Sequence, residues 1–365
     1  MKLTDLDFHL PAEQIAQRPL EERDASRMLL LDRASGAWEE HHFRELPELL
    51  RGDELIVLNN VRVLPARLFG RREGRKSHES AGKSAVQAES PASTIEVLLV
   101  RQLEPMIWEA LVRPGRKVRV GEKIVFGDGE LEAEVMSRED FGLRVLRFTS
   151  KNAFHEALGR LGHIPLPPYI KREDDFSDRA RYQTVYAQKG SAVAAPTAGL
   201  HFTPDILSRV RARGVEIAEI TLDVGLGTFE PVRTEVLEEH KIHKESYEIP
   251  EAAASAIARA KDQKRPVLAI GTTVVRTLED AAEKAGAEKS GGALRPGKAE
   301  ADIFMYPGKQ FRIVDQLLTN FHLPQSSLLG LVAAFAGREN VLRAYRHTVN
   351  AKFRFYSYGD CMLIR

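Results

Sequence analysis

Six short apolar runs follow one another at close intervals between residues 95 and 148, and they restrict the fold more than any other feature. They are IEVLLV (95–100), MIWEALV (106–112), KVRV (117–120), KIVF (123–126), ELEAEVM (130–136) and GLRVLRF (142–148). Pro, Gly or acidic residues separate the runs, and helical periodicity is scarce among them. This spacing predicts a small antiparallel barrel or sandwich.

On either side of these runs, the sequence has a different pattern of apolar and polar residues. Before them, residues 27–32 and 37–43 predict a hairpin, and residues 54–58 predict a buried strand. After residue 150, helical and strand-like segments alternate, with helices predicted at 202–213, 250–264 and 273–285 and strands at 215–222 and 267–270. Alternation of this kind predicts an α/β domain. Two polar stretches, 74–93 and 288–300, are predicted to be loops.

Charge and cysteine content exclude several classes of protein. The chain has 53 Lys and Arg against 52 Asp and Glu, so its net charge of +1 argues against a strongly basic nucleic-acid coat protein. Cys361 is the only cysteine, which excludes an intrachain disulfide and a cysteine-rich metal site. The N-terminus has no apolar run typical of a signal peptide, and we expect a cytoplasmic protein without membrane attachment. His240 and His243 lack a third ligand nearby, so we predict no metal site.

One strand-to-turn motif, LDVGLGTFEPV (222–232), is similar to nucleotide-binding loops without matching them. Gly225 and Gly227 occupy the first two glycine positions of G-x-G-x-x-G, but Glu230 occupies the third. A dinucleotide needs close backbone approach at each glycine, so a tight functional turn is the better interpretation.

Three loops carry residues suited to chemistry. VLAIGTTVVRTLED (267–280) is a strand, a Gly-Thr-Thr turn and a helix, where Thr272 or Thr273 would either cap the helix or bind an anion. His201 and His322 lie in short loops bounded by Pro and Gly, PTAGLHFT (196–203) and TNFHLPQSSLL (319–329). Each histidine is either a structural hydrogen-bonding group or a proton-transfer group.

Basic residues cluster in two places. Residues 62–76 contain six Lys or Arg and one Glu, and residues 338–354 contain five Lys or Arg and one Glu. Aromatic residues lie within and just after the second cluster, from Tyr345 to Tyr358. Arginines beside aromatic rings are what recognition of an RNA loop requires, although solvated faces over core aromatics would give the same pattern.

Taken together, the ordered blocks resemble one family, the S-adenosylmethionine:tRNA ribosyltransferase-isomerases of queuosine biosynthesis. The resemblance runs nearly end to end. Its blocks include DFHLPAEQIAQRPLEERDASRML (7–29), LNNVRVLPARL (58–68), GHIPLPPYIKR (162–172), DRARYQTVYA (178–187), APTAGLHFT (195–203), LDVGLGTFEPV, HKIHKESYEI (240–249), AIGTTVVRTLE (269–279), LLTNFHLPQSSLL (317–329) and FYSYGDCMLI (355–364).

This resemblance implies a mixed α/β fold: a large α/β domain formed by residues 1–60 and 151–365, with a small antiparallel β-barrel domain inserted at 61–150. It also implies transfer and isomerisation of the ribosyl part of S-adenosylmethionine onto 7-aminomethyl-7-deazaguanine at the wobble position of a tRNA. The products are epoxyqueuosine in the tRNA, adenine and methionine. S-Adenosylmethionine is then a consumed substrate, no separate cofactor is needed, and we expect a monomer that binds the anticodon stem-loop.

The resemblance and the motifs together suggest roles for particular residues. The expected catalytic residues are His201, His322 and Asp223. The expected substrate-binding residues are Asn60, Arg62, Thr197, Gly199, Gly225, Gly227, Thr272, Thr273 and Arg276. The expected tRNA-binding residues are Arg67, Arg346, Arg354, Tyr356 and Tyr358.

Two other functions remain open at this point. A tRNA or other RNA methyltransferase using the 223–228 turn would produce S-adenosylhomocysteine instead of adenine and methionine. A non-catalytic tRNA-binding protein would bind without any turnover.

Overall fold

The computed structural model describes residues 1–73, 94–225, 234–240, 242–287 and 294–365. The predicted loop at 74–93, the first part of the loop predicted at 288–300, and Gly227 lie outside these ranges. The described chain forms two compact units. The first contains Met1–Arg62, Pro167–Glu173 and Ala180–Arg365, and the second contains Val63–Leu166 and Asp174–Arg179.

The first unit is built on a nine-stranded mixed sheet. Its strands in chain order are Arg27–Leu31 (β1), Trp38–His42 (β2), Leu55–Asn59 (β3), Glu216–Leu222 (β12), Glu245–Ile249 (β13), Val267–Ile270 (β14), Gly297–Ala301 (β15), Gln316–Asn320 (β16) and Cys361–Ile364 (β17). The spatial order is β15-β13-β12-β3-β14-β16-β17-β1-β2. Strands β12, β3, β14 and β16 are parallel to one another, whereas β17 and β1 run in the opposite direction. Two short strands lie outside this sheet, Val61–Val63 (β4) and Lys189–Ala192 (β11).

Helices cover both faces of this sheet. They are Leu46–Leu49 (α1), Pro204–Ala212 (α4), Glu251–Asp262 (α5), Thr272–Ala287 (α6), Ser327–Ala336 (α7) and Arg338–Asn350 (α8). Leu55 and Val57 of β3 pack in one apolar cluster with α5 to α8, while Ile56 and Leu58 pack in a second cluster with α1 and α4. Alternate residues of a strand point to opposite faces, so a strand covered on both sides must be apolar throughout. This explains the run ELIVL.

Local capping fixes the helix that follows His201. Thr203 precedes α4, its side chain accepts a hydrogen bond from the backbone N–H of Ile206 at 3.1 Å, and Pro204 is the first helical residue. Pro fits there because the first N–H groups of a helix have no intrahelical acceptor. The start of α4 is therefore set by Thr203 and Pro204.

The second unit is a closed six-stranded antiparallel barrel. Its strands are Arg67–Arg72 (β5), Ile95–Glu104 (β6), Ile107–Arg113 (β7), Lys123–Phe126 (β8), Leu131–Arg138 (β9) and Leu143–Ser150 (β10), in the order β10-β7-β6-β5-β8-β9. A helix, Phe154–Leu161 (α2), packs on it, with the rings of Phe154 and Trp108 stacked at 6.0 Å. The remaining short helix is Asp178–Arg181 (α3).

The mixed fold with an antiparallel barrel is confirmed, but several details differ from the sequence predictions. The strand predicted at 117–120 is wrong: the chain makes a turn there, in which Glu122 N–H donates to the Arg119 carbonyl. Residues 297–300, the end of the loop predicted at 288–300, belong to the edge strand β15. The second unit extends to Leu166 instead of ending at residue 150, because α2 belongs to the barrel. No helix in the described ranges is long and apolar enough to cross a membrane.

Candidate active site

The loops that carry the sequence motifs meet at one edge of the nine-stranded sheet. The parallel strands β12, β3, β14 and β16 all end there, so the residues that follow each strand are brought to the same edge. Because β17 and β1 run the opposite way, the residues that precede those strands reach this edge too. Ligand sites of open α/β sheets lie beyond the carboxyl ends of the strands, and a cleft is present at this position.

The space between the walls of this cleft is about 560 Å³ when the part that is open to solvent is counted. It is lined by Tyr169, Ala194, Ala195, Pro196, Thr197, Ala198, Val224, Gly271, Thr272, Thr273, Thr319, Asn320, Phe321, His322, Leu328, Tyr356 and Ser357. Among the described residues, none that lines it is Asp, Glu, Lys or Arg. Polar groups are therefore supplied by hydroxyls, amides and one imidazole in a largely apolar wall.

His322 is the imidazole of the cleft. It follows β16, is 6% exposed, and its Nε2 lies 2.9 Å from Thr319 Oγ1. Its backbone N–H donates to the hydroxyl of Tyr345 at 3.2 Å, which holds the loop in place. Burial lowers the pKa of His322 to about 3, so the ring is neutral at pH 7. A neutral imidazole can accept a proton at its unprotonated nitrogen, whereas its remaining N–H is a hydrogen-bond donor and too weak an acid to protonate a substrate at pH 7.

His201 lies behind the cleft wall and does not line the cleft. It faces a smaller recess with Arg23 and Ser26, and its Nδ1 lies 2.9 Å from Ser26 Oγ. Burial lowers the pKa of His201 to about 4, and the nearby Asn320 side chain offsets part of this lowering. Asn320 lines the cleft, and both its Oδ1 and the Nε2 of His201 are buried without a hydrogen-bond partner among the described residues.

Two tyrosines form an aromatic wall. The rings of Tyr169 and Tyr356 meet edge to face with centroids 3.8 Å apart. The Tyr169 hydroxyl is hydrogen-bonded to Ser357 Oγ, and Tyr356 has a left-handed backbone with φ of 73°. Asn320 Nδ2 donates to the Tyr356 carbonyl at 2.9 Å, which supports this turn. Burial raises the pKa of both tyrosines, so neither carries charge at neutral pH.

Thr197, Thr272 and Thr273 are the predicted substrate-binding residues that the structure brings into the cleft. Thr272 and Thr273 begin α6, directly after Gly271, whose φ is 93°. A φ in this range is strained for any residue with a β-carbon, so the strand-to-helix turn requires glycine.

Other predicted substrate-binding residues have structural partners next to the cleft. Asn60 is buried and donates through Nδ2 to Glu219 at 3.0 Å, while its Oδ1 accepts from the Thr221 hydroxyl at 2.7 Å. Gly199 lies against Tyr186, since an added β-carbon would be 2.1 Å from the Tyr186 hydroxyl. The Gly225 N–H donates to Glu245 at 3.0 Å.

Arg276 is not available to a substrate anion in this structure. It is 5% exposed and forms a buried ion pair with Glu245, and its Nη2 also donates to the His243 carbonyl at 3.2 Å. A buried guanidinium needs such a partner because an unpaired charge in the interior is costly. Asp223 lies beside the cleft-lining Val224 without itself lining the cleft, and its carboxylate lies against the backbone of Gly190.

The predicted tRNA-binding residues differ in exposure. In the first unit, Arg346 is exposed, as is Arg62 from the predicted substrate-binding set. Arg354 is half-buried, and one of its guanidinium nitrogens donates to the Arg18 carbonyl. Tyr358 is buried against Tyr182, and Phe353 and Phe355 are fully buried, so these aromatic residues are core and cannot stack on a base. In the second unit, Arg67 is paired with Glu96 at 3.2 Å. Of the predicted aromatic contacts, only Tyr356 lines the cleft.

Sequence reasoning missed Tyr169, Asn320 and Ser357 as cleft residues. Asn320 and Ser357 lie within blocks that were recognised, adjacent to His322 and Tyr356, but nothing local distinguishes them from framework positions. Tyr169 lies in GHIPLPPYIKR, where a Pro-rich loop gives no indication of a site. No group of three or more His, Cys, Asp or Glu that would hold a metal ion occurs in the described part of the chain.

Comparison with known proteins gives full-length matches. Residues 3–364 match the family model described as "Queuosine biosynthesis protein". Proteins named S-adenosylmethionine:tRNA ribosyltransferase-isomerase from Solibacter usitatus, Symbiobacterium thermophilum and Carboxydothermus hydrogenoformans are 51%, 50% and 48% identical, each with 100% of both chains covered.

A solved structure agrees with these matches. The crystal structure of S-adenosylmethionine tRNA ribosyltransferase from Thermotoga maritima is 34% identical to this chain, with a TM-score of 0.52. The alignment covers 99% of this chain and 100% of that one.

Proposed function

Because the chain belongs to the family of queuosine biosynthesis proteins, we propose that it is an S-adenosylmethionine:tRNA ribosyltransferase-isomerase. The observation that supports this most strongly is the match to enzymes of that name over the full length of both chains. The cleft adds a second support, because it gathers the motif residues at the edge of the sheet where α/β proteins bind ligands.

The reaction takes two substrates, S-adenosylmethionine and a tRNA. The acceptor is 7-aminomethyl-7-deazaguanine at the wobble position, and the products are epoxyqueuosine in the tRNA, adenine and methionine. S-Adenosylmethionine supplies its ribosyl group and is consumed, so the proposed reaction needs no further cofactor.

Chemistry at the ribose begins with removal of a proton. The positive sulfonium acidifies the neighbouring C5′ hydrogens, and a base placed beside them forms an ylide. His322 is the candidate for this step, because it is neutral, lines the cleft and is held by Thr319 and Tyr345. The imidazolium that results has a low pKa in this buried position, so it returns its proton readily to a departing group.

His201 acts indirectly. The Asn320 side chain lies near His201 and raises its pKa, and the same side chain supports the turn at Tyr356. We assign His201 the role of a positioning residue, because it touches the recess beside Ser26 and not the cleft.

The wobble base must leave the anticodon stack to reach the cleft. Aromatic rings stabilise extruded bases by stacking, and Tyr356 is the aromatic residue from the predicted tRNA set that lines the cleft. The exposed Arg62 and Arg346 are suited to phosphate contacts elsewhere on the anticodon stem-loop.

Replacing His322 tests the assignment. In His322→Gln we expect adenine release at saturating substrates to fall by at least about 10²-fold, with a much smaller change in affinity for S-adenosylmethionine. His201→Ala should also lower the rate, and the loss should not exceed that in His322→Gln. A folded His322→Gln protein with a near-normal rate would remove His322 as the base.

A further inference from the structure

The cleft raises a problem of charge if it binds S-adenosylmethionine. That substrate carries a carboxylate, and moving a carboxylate out of water is costly unless donors or a positive charge replace the lost hydration. Among the described residues, no Lys or Arg lines the cleft, and His322 is neutral. Within the described lining, only donors other than a cationic side chain are available to the carboxylate.

The N-terminus of α6 is such an element. This helix has 16 residues, long enough for a full dipole, and its first residues Thr272 and Thr273 line the cleft. The N–H groups of Val274 and Val275 already donate to the Gly271 carbonyl, at 3.2 and 3.3 Å. The N–H groups of Thr272 and Thr273 precede them and have no acceptor within the helix, which makes them donors for an anion.

A second, independent observation comes from the side chain of Thr273. The residue is 9% exposed, and its Oγ1 is buried without a hydrogen-bond partner in the protein. A β-carbon built on Gly271 would lie 3.7 Å from this oxygen, so the hydroxyl lies beside the turn at the start of the helix. Buried hydroxyls are nearly always hydrogen-bonded, so an unpaired one in a cleft-lining residue needs a partner, either a water molecule or a ligand atom.

Two features of the described residues leave this position open. The first turn of α6 contains no acidic residue that would fill its own N-terminus. Arg276, one turn further along, is occupied by Glu245 and does not line the cleft. The helix start is thus a neutral donor site next to the candidate base.

We propose that the start of α6, Gly271 with Thr272 and Thr273, binds an oxyanion through two backbone N–H groups and the Thr273 hydroxyl, and that this oxyanion is the methionyl carboxylate of S-adenosylmethionine. The proposal rests on the proposed function for the identity of the substrate. A phosphate of the tRNA has the same oxyanion chemistry and is the other source that the test must separate. Binding of the carboxylate here places the methionyl end of the substrate at α6.

The test compares two ligands and three variants by calorimetry in the absence of tRNA. The ligands are S-adenosylmethionine and its decarboxylated analogue, which lacks only the carboxylate. Thr273→Val removes the hydroxyl at nearly constant volume, and Thr273→Ser retains it. Thr277→Val is the matched control, since Thr277 is buried one turn along the same helix, outside the cleft, with its hydroxyl bonded to the Thr273 carbonyl.

We expect Thr273→Val to weaken S-adenosylmethionine by about 10-fold or more, as for loss of a hydrogen bond to a charged group. The decarboxylated analogue should bind Thr273→Val and the wild type within about 2-fold of each other, and Thr273→Ser should retain most of the wild-type affinity for S-adenosylmethionine. If the free enzyme binds too weakly for calorimetry, the same comparison is made through KM at saturating tRNA, with kcat little changed.

Three results would overturn the proposal. Equal affinity of Thr273→Val and wild type for S-adenosylmethionine would exclude the site, and equal losses for both ligands would show that the carboxylate is not bound there. In a separate titration with tRNA, weakened binding by Thr273→Val together with normal S-adenosylmethionine binding would assign the site to a phosphate. Failure of the proposed function is separate from these results, because it would appear as a wild-type protein that releases no adenine.

Discussion

The two buried histidines make the folded protein sensitive to mild acid. In the unfolded chain each takes up a proton as the pH falls through about 6.5, whereas burial lowers the folded pKa to about 4 for His201 and about 3 for His322. Between these values the unfolded state binds more protons, so the free energy of unfolding decreases as the pH decreases. The contribution is fully present above about pH 7 and is lost between about pH 6.5 and 3.

The size of the effect follows from the same values. Each histidine removes about 2 kcal/mol of stability between pH 7.5 and pH 5, and the two together remove about 4 kcal/mol. His322→Gln, which cannot be protonated, should therefore lose about 2 kcal/mol less than the wild type over this interval. Urea denaturation at both pH values, followed by circular dichroism, measures the difference.

A matched substitution, His9→Gln, controls for loss of an imidazole at an exposed position. The reasoning is refuted if His322→Gln and the wild type lose the same free energy of unfolding between the two pH values. That result would mean that the folded protein accommodates a charged His322 at pH 5, and that burial does not lower the pKa of His322.

Three further predictions concern packing, the buried ion pair and tRNA. Gly199→Ala should destabilise the protein by about 1–3 kcal/mol, because the added β-carbon meets the Tyr186 hydroxyl. Tyr186→Phe should recover part of that loss in the double variant, as measured by thermal unfolding. If the losses of stability in the two single variants simply add in the double variant, the contact is contradicted. Glu245→Gln leaves Arg276 buried without its counter-charge, so the free energy of unfolding should fall by about 3–5 kcal/mol, and a change under 1 kcal/mol would show that the pair is solvated. Binding of tRNA should weaken steeply with salt, and Arg346→Ala should lower the slope of log K against log salt by about 0.9 if this exposed arginine contacts a phosphate; an unchanged slope would remove Arg346 from the interface.

The family and the catalytic half of the fold were predictable because their signals are local. The ordered blocks are confirmed by the full-length family match. Strand, turn and helix follow one another within a few residues at 267–280 and at 319–329, so Thr272, Thr273 and His322 could be placed at one edge of the sheet. Parallel strands bring such turns together whatever the intervening sequence.

Residues with distant partners could not be assigned in this way. Arg276 pairs with Glu245 and Asn60 with Glu219, and these partners are 31 and 159 residues away in the sequence. The motifs therefore identify the polar side chains but not the residues that they bind. The aromatic run at 353–358 divides at Tyr356, where the left-handed turn places one ring in the cleft while Phe353, Phe355 and Tyr358 enter the core.

The barrel illustrates a related limit. Its strand β5 contains Arg67, Arg71 and Arg72, three members of the basic cluster at 62–76. A half-exposed strand of a barrel accommodates such residues on its outer side, so the cluster alone does not indicate RNA binding. The run at 117–120 alternates like a strand but lies between Pro114 and Gly121, and it forms the turn that leads into β8. Alternation alone does not separate a short strand from an extended turn.

The most direct test of the account is mass spectrometry of the purified protein incubated with S-adenosylmethionine and a tRNA that carries 7-aminomethyl-7-deazaguanine. The account predicts free adenine and methionine, together with a heavier anticodon fragment that carries the epoxycyclopentane ring, and no such fragment from tRNA with unmodified guanine. A methylated fragment with S-adenosylhomocysteine, or tRNA that is bound and returned unchanged, would contradict it.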